Sequence, residues 1–439
     1  MTAFPALIQK VEQSLASVSP RQRYGRLSQI RGAVLRAEFS GVKQGSICHI
    51  FRTGDKPLLA EVIGVDGEEV LLMPFGTVEG LTSGAVVAHA PGALTLPVGP
   101  ALLGRIVDVF GRPLDGQGDL PKGTAIRPIK GLAPSAMERP LINLPLRTGT
   151  RAIDGMLTLG HGQRIGIFGP PGTGKSLLLA AIARNTAADV VVLGLVGERG
   201  REVREFIDRD LPAEARTRVV VVAATSDCPA VERALCAQSA TAIAEGFRDT
   251  GKSVLLLIDS LTRTARALRE IGLAAGEAPT RRGFPASVYP ALPAIIERAG
   301  RHVSGDITAI YTVLLEGDNQ TDPIAEEVKS LTDGHFMLSR ALAEKGHYPA
   351  LDVLESLSRS MSAIVNEDHL SYAARIRTLM AKHRDIELLL QIGEYNGGDV
   401  IADAAIAAKS KIEEFLRQPT QHAASFSETL ALMREIVQK

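Results

Sequence analysis

Tryptophan is absent from this 439-residue chain, and 6 tyrosines and 12 phenylalanines bring the aromatic content to only 4%. A surface that stacks on unpaired bases needs aromatic side chains interleaved with positive charge. Net positive charge is missing as well: 49 Lys and Arg balance 49 Asp and Glu, so no field holds a polyanion by counterion release. No nucleic acid is therefore expected as the main partner. Cysteine is scarce. Cys48, Cys228 and Cys236 show no metal-ligand spacing and read as reduced core residues, with Cys228 and Cys236 placed to share one side of a helix. Apolar runs such as Val190 to Val196 fall far short of the roughly 20 residues of a bilayer span, and no cationic-then-apolar leader opens the chain. The expectation is a cytoplasmic protein. Its 45% hydrophobic content and its length suit two or three domains with real cores.

What is present is ordered along the chain. From about Arg26 to Ala90, short β-type runs alternate with glycine turns: Gly32-Ala33-Val34-Leu35, Ile47 to Ile50, Leu59 to Gly64, Val70 to Met73. Closely spaced strands with such punctuation predict a small β-barrel. Pro91 to Pro145 is rich in Gly and Pro and reads as a connector wrapped on the next domain. Apolar strands at 165–168, 190–195, 219–224, 254–258 and 307–314 then alternate with helical segments at 176–186, 201–210, 229–249 and 263–273. That alternation predicts an α/β core, a parallel sheet with helices on both faces, and runs such as Val219 to Val222 suit strands buried on both sides. Beyond about Met361 the strand pattern ends and a terminal helical bundle is expected. The domains divide as 1–92, 93–360 and 361–439.

Gly169-Pro170-Pro171-Gly172-Thr173-Gly174-Lys175-Ser176 is an intact G-x-x-x-x-G-K-[ST] loop between the apolar run Ile165 to Phe168 and the helix-forming stretch that starts at Ser176-Leu177. Its glycines let successive N–H groups turn inward on a phosphate. Lys175 reaches the terminal phosphates, Ser176 holds Mg²⁺, and the helix N-terminus favours the anion. Val254 to Ile258 is a buried run ending in Asp259. An acid at a strand end most often caps the next helix, but beside a phosphate loop it is better read as orienting the water ligands of Mg²⁺. Hydrolysis also needs a carboxylate that polarises the attacking water, and Glu198 in Gly197-Glu198-Arg199-Gly200-Arg201-Glu202 is the candidate, with Arg199 beside it.

The phosphate loop, Gly197 to Phe206, Asp259-Ser260-Leu261-Thr262-Arg263 and Gly346-His347-Tyr348-Pro349-Ala350-Leu351-Asp352-Val353 together resemble the export ATPases of type III secretion systems, relatives of the catalytic subunits of rotary ATP synthases. The resemblance covers nearly the whole chain. It implies a barrel, a RecA-like P-loop core and a helical C-terminal domain, assembled as a ring of six identical subunits that hydrolyses ATP with Mg²⁺ at the cytoplasmic face of the bacterial inner membrane. Stalk, stator or regulator and export-gate proteins, secretion chaperones and exported proteins are the implied partners. Tyr348 is implied to stack on adenine, and Arg359 in Ser356 to Met361 to be an arginine finger reaching the neighbouring subunit's site.

The departures from the pattern are informative. Where synthase β subunits carry an acidic contact segment, this chain has Ile392-Gly393-Glu394-Tyr395-Asn396-Gly397-Gly398-Asp399, which favours export over synthesis and the injectisome over the flagellar form. Ala294 stands where relatives usually carry Arg. Residues 6–15 suit an amphipathic helix docking on a membrane surface or a regulator, and suit a partly ordered tail equally. Arg281-Arg282 lies in a glycine-rich loop that suits contact with an exported polypeptide and a merely solvated loop alike. A ring-shaped RNA translocase with the same core is the alternative of another class, opposed by the charge balance and the few aromatics.

Overall fold

Period-2 burial shapes the first fifth of the chain: in β2 (Val34–Glu38), Leu35 and Ala37 are buried while Arg36 and Glu38 are exposed. The structure, a computed structural model, describes residues 23–31, 34–52, 54–315 and 322–438. The segment 6–15 and Gly32-Ala33 lie outside them. With β1 (Tyr24–Arg31), β3 (Ile47–Ile50), β4 (Leu58–Asp66), β5 (Glu69–Pro74) and β6 (Val86–Ala90), β2 closes an antiparallel barrel in the order β1-β2-β5-β4-β3-β6. Its core is Leu27, Leu35, Cys48, Ile50, Val62, Leu72 and Val87 among others. β1 and β6 stand out less in the sequence because β1 is polar and irregular in register between Leu27 and Gln29. The barrel belongs to the smaller of two compact units, which takes in Ala274–Gly276 besides the chain up to Ala93; the second unit begins at Leu94.

The second unit is built on a nine-stranded sheet. Its main strands are β7 (Ile106–Val107), β8 (Arg164–Gly169), β9 (Val190–Val196), β10 (Val219–Ala224), β11 (Ser253–Asp259), β12 (Asp306–Leu314), β13 (Gly334–Leu338) and β14 (Leu351–Ser358), in the spatial order β14-β13-β8-β12-β11-β9-β10-β7. The pairs from β13 to β7 are parallel, and β14 runs antiparallel at the edge. Strands β9 and β10 are buried at every position, as a parallel sheet covered on both faces requires. Helices α1 (Lys175–Asn185), α2 (Ala230–Arg248), α3 (Leu261–Ala274) and α4 (Val288–Ile296) follow the expected alternation. β13 and β14 escape the sequence pattern because burial alternates along them instead of running continuously. The two-residue β7 is drawn from the connector and joins the sheet edge beside β10.

One expectation is corrected. Cys228 does not share a helix with Cys236, because α2 begins at Ala230 after Pro229, whose ring fixes φ at −52° in an extended residue. Cys236 is buried within the helix and burial drives its thiol pKa upward.

Beyond Met361 the chain is helical: α5 (Glu367–Gln391), capped by Asn366; α6 (Val400–Leu416), capped by Asp399; and α7 (Phe426–Val437), opened by a Ser425/Glu428 capping box. Ile376, Leu379, Ile412, Phe415 and Met433 enter the same core as Ile153, Met156 and Leu157. The approach is close: a Cβ on Gly155 would lie 2.8 Å from Met433 Sδ and 2.9 Å from Phe415 Cζ, so only glycine fits.

Candidate active site

Gly169 ends β8 and Lys175 begins α1, so the loop between them sits at the carboxyl edge of the parallel sheet, where such folds bind ligands. Thr173 Oγ1 donates to Pro170 O at 2.9 Å and closes the loop, leaving Pro171 and Gly172 exposed at its tip. Gly174 has φ 82° and ψ 24°, a left-handed conformation, and a Cβ there would meet Tyr348 Cε1 at 3.0 Å. Lys175 is buried and its Nζ donates to Gly169 O at 3.1 Å. Burial lowers its pKa to about 8, against the opposing pull of the Asp259 and Glu198 charges.

β9 and β11 end beside this loop, with Leu195 paired to Asp259, and deliver Glu198 and Asp259 to one cavity of about 580 Å³. Ser176, Glu202, Val203, Glu205, Phe206 and Asp210 line it with them. Asp259 is 6% exposed and its Oδ1 accepts from Thr312 Oγ1 at 2.6 Å. Glu198 Oε2 lies 2.9 Å from an Arg263 nitrogen, and Arg263 also donates to Gly197 O. Despite that partner, the Glu198 carboxyl is pushed well above the usual carboxylate range, first by burial and then by Glu202 and Asp259, which together outweigh Arg263. The Ser176 hydroxyl and the Asp259 carboxylate are hard oxygen donors. Among the described residues no three His, Cys, Asp or Glu side chains cluster as a metal cage.

On the other side of the loop, Gly174, Leu177, Leu178, Tyr348, Pro419 and Thr420 line a narrow cleft. The C-terminal segment is fastened here by Gln418: its Oε1 accepts from Arg151 N at 2.8 Å, and its Nε2 donates to Gly149 O at 2.8 Å and His422 O at 2.6 Å. Gln418 N donates to Tyr348 O at 2.9 Å, and Arg184 donates to Thr420 O.

Not every candidate converges. Arg199 turns outward, with its side chain 80% exposed and 3.4 Å from Glu202 Oε1, because it precedes the Gly200–Glu205 helix on the surface in an extended conformation. The cation against Glu198 is Arg263. Arg359 follows β14, whose antiparallel course carries it to the opposite edge of the sheet, roughly 20 Å from the phosphate loop at ~3.3 Å per strand residue. It cannot serve its own loop. Arg281 and Arg282 are exposed, and Ala294 is exposed on α4. Arg263, Thr312 and Gln418 were not singled out from the sequence. Arg263 stands in the first turn of α3, in the run after Asp259 that carries the family resemblance; Thr312 and Gln418 reach the site only through long-range packing.

Residues 149–358 match the nucleotide-binding domain of the ATP synthase alpha/beta family, residues 27–89 its beta-barrel domain, and residues 365–435 the T3SS EscN ATPase C-terminal domain. The chain is 51% identical over 435 residues to a type 3 secretion system ATPase of Xanthomonas euvesicatoria, covering 98% of each chain. It is 50% identical to the SPI-2 type 3 secretion system ATPase of Salmonella typhimurium, covering 90% of each, and 44% identical to a flagellum-specific ATP synthase of Bacillus subtilis, covering 94% and 95%. Its fold matches the assembled ATPase EscN of the enteropathogenic E. coli type III secretion system with a TM-score of 0.89 at 45% identity, over 94% of this chain and all of that one. EscN in complex with its central stalk EscO matches at 0.87. With its barrel, nucleotide-binding and C-terminal domains all matched, the chain belongs to the ATP synthase alpha/beta family, among the type 3 secretion ATPases.

Proposed function

We propose that the chain hydrolyses Mg-ATP to drive protein export through a type III secretion apparatus, as a homohexamer whose nucleotide sites lie between subunits. The observation that carries this reading is the meeting of Ser176, Glu198 and Asp259 around one cavity at the ends of β8, β9 and β11, with the buried Lys175 feeling the charges of both carboxylates. The backbone of Gly169 to Ser176 cradles the phosphates and Lys175 neutralises the terminal ones. Ser176 and Asp259 would hold Mg²⁺, which when bound draws the phosphate oxygens into line and offsets their charge. Glu198 takes up the proton of the attacking water. Tyr348 packs on adenine while Leu177 lines the edge of the cleft. Arg359 of a neighbouring copy completes the charge at the γ-phosphate. Arg199, exposed beside Glu202, remains a catalytic candidate of this reading.

On this division residues 1–92 serve assembly, 93–360 chemistry and 361–439 contact with partners. A central stalk is the first partner expected, since EscN has one; regulator, export-gate, chaperone and cargo proteins are proposed on family grounds. No helix among the described residues is long and apolar enough to cross a membrane, so attachment to the inner membrane's cytoplasmic face is proposed as peripheral. Steady-state phosphate release tests the reading. Lys175→Ala is expected to abolish turnover with the fold intact, and Glu198→Gln to keep nucleotide affinity while losing turnover. Wild-type turnover in Lys175→Ala refutes the site. Turnover raised many-fold by RNA would instead favour a translocase.

A further inference from the structure

The backbone of Arg359 is held by an unusual set of partners for a surface residue. Arg359 N donates to Asp333 O at 3.0 Å, and Asp333 N to Arg164 O at 2.7 Å. The Asp333 carboxylate accepts from Arg164 N at 3.0 Å and from its guanidinium at 3.1 and 3.2 Å. Ser358 Oγ, beside Arg359, donates to Thr158 O at 2.8 Å. One buried side chain ties these threads together. Gln163 is 0% exposed; its Nε2 donates to Asp333 O at 3.1 Å and Ser358 Oγ at 3.0 Å, and its Oε1 accepts from Gly160 N at 2.8 Å. A buried amide with both ends satisfied fixes its neighbours' geometry more tightly than apolar packing does.

All of these holders except Asp333 lie in residues 158–164, the turn that feeds β8 and, at its far end, the phosphate loop. The arginine that faces the next subunit is therefore anchored on the strand that carries this subunit's own nucleotide loop. We propose that Gln163 is a positioning residue: through Ser358 and Asp333 it sets Arg359 for the neighbouring subunit's nucleotide, and so couples each site to the next. The proposal rests on Arg359 acting across the interface, and its test separates the two claims.

Gln163→Met in the full-length chain keeps the volume and removes the three hydrogen bonds. The KM for ATP is expected to stay within about twofold while kcat falls about 10- to 100-fold, the cost of a misplacement of about 1 Å. Mixed rings then locate the defect. Gln163→Met has an intact Glu198 but a misplaced finger, so co-assembly with Glu198→Gln, whose finger is well set, raises activity above that of Gln163→Met alone, because about a quarter of randomly formed interfaces pair the two intact halves. Co-assembly with Arg359→Ala gives no such rise. If Gln163 merely supports its own phosphate loop, the pattern inverts: Arg359→Ala rescues and Glu198→Gln does not, and the proposal is overturned. Unchanged kcat overturns it too. Mixing Glu198→Gln with Arg359→Ala is the control, and if those mixed rings stay inactive the cross-interface role of Arg359 fails, and this proposal with it. Ser358→Ala, which removes one of the three bonds at a smaller volume change, repeats the test where Gln163→Met does not fold.

Discussion

Thr312→Val tests how the metal-side carboxylate is held. Thr312 is 0% exposed and gives its hydroxyl proton to Asp259 Oδ1 at 2.6 Å, a short bond to a carboxylate that is itself only 6% exposed. Such charge-assisted bonds contribute about 1.5–3 kcal/mol, and valine keeps the shape while deleting the donor. Groups that orient a metal's ligands are worth about 10- to 100-fold in metal affinity. Asp259 is expected to act through the ion's water ligands, so the lower end applies: about a tenfold rise in the Mg²⁺ concentration for half-maximal turnover, or about 1.4 kcal/mol. The assay is phosphate release against free Mg²⁺ at saturating ATP, with nucleotide binding measured separately in EDTA. Binding in EDTA is expected to be unchanged, because the Thr312 hydroxyl bonds to Asp259 Oδ1 and Ile258 O on β11. Half-saturation within twofold of wild type, in a protein with unaltered circular dichroism, would refute the assignment of Asp259 to the metal.

Glu198 loses activity when protonated, and its pKa is raised, so kcat/KM is expected to fall as pH drops through neutrality, earlier than for an ordinary carboxylate; Lys175, lowered to about 8, limits the alkaline side. Glu202→Gln removes a raising influence and should shift the acid limb to lower pH, whereas Arg263→Ala removes a lowering one and should shift it higher; shifts of the same sign would contradict the electrostatics. Glu245→Ala strands Arg298, which is 1% exposed and holds Glu245 through two bonds of 2.9 Å, so about 3–5 kcal/mol of stability should be lost in calorimetry, with the paired Glu245→Met/Arg298→Met change restoring much of it. An undiminished melting temperature in Glu245→Ala would show the pair to be idle. Specific activity should rise with protein concentration as rings form, and strict proportionality followed by light scattering would count against a shared site.

The phosphate loop was legible because its chemistry is local: glycines, lysine and serine at fixed spacing between a strand and a helix. The buried strands β9, β10, β11 and β12 were legible because both faces are covered, which forces continuous apolar runs. β13 and β14 were not, since alternating burial at a sheet edge gives a mixed pattern. Glu198 and Asp259 could be named from strand ends, but the partners that tune them, Arg263 and Thr312, are ordinary residues whose importance comes from where the sheet places them. Arg199 stands in a run that matches the family closely, and in the single chain its side chain is exposed beside Glu202.

Gln418 joins the terminal helices to the wall of the base cleft through the same few hydrogen bonds that hold Gly149 and Tyr348. Thermodynamic linkage makes such a connection two-way: any change in nucleotide affinity produced by tilting those helices must be matched by an equal change in the ease of tilting them when nucleotide binds. On the proposed function, a partner that tilts those helices therefore need not approach the phosphates to change how tightly nucleotide is held. The shift in nucleotide affinity and the shift in the ease of tilting are then two measurements of a single coupling free energy.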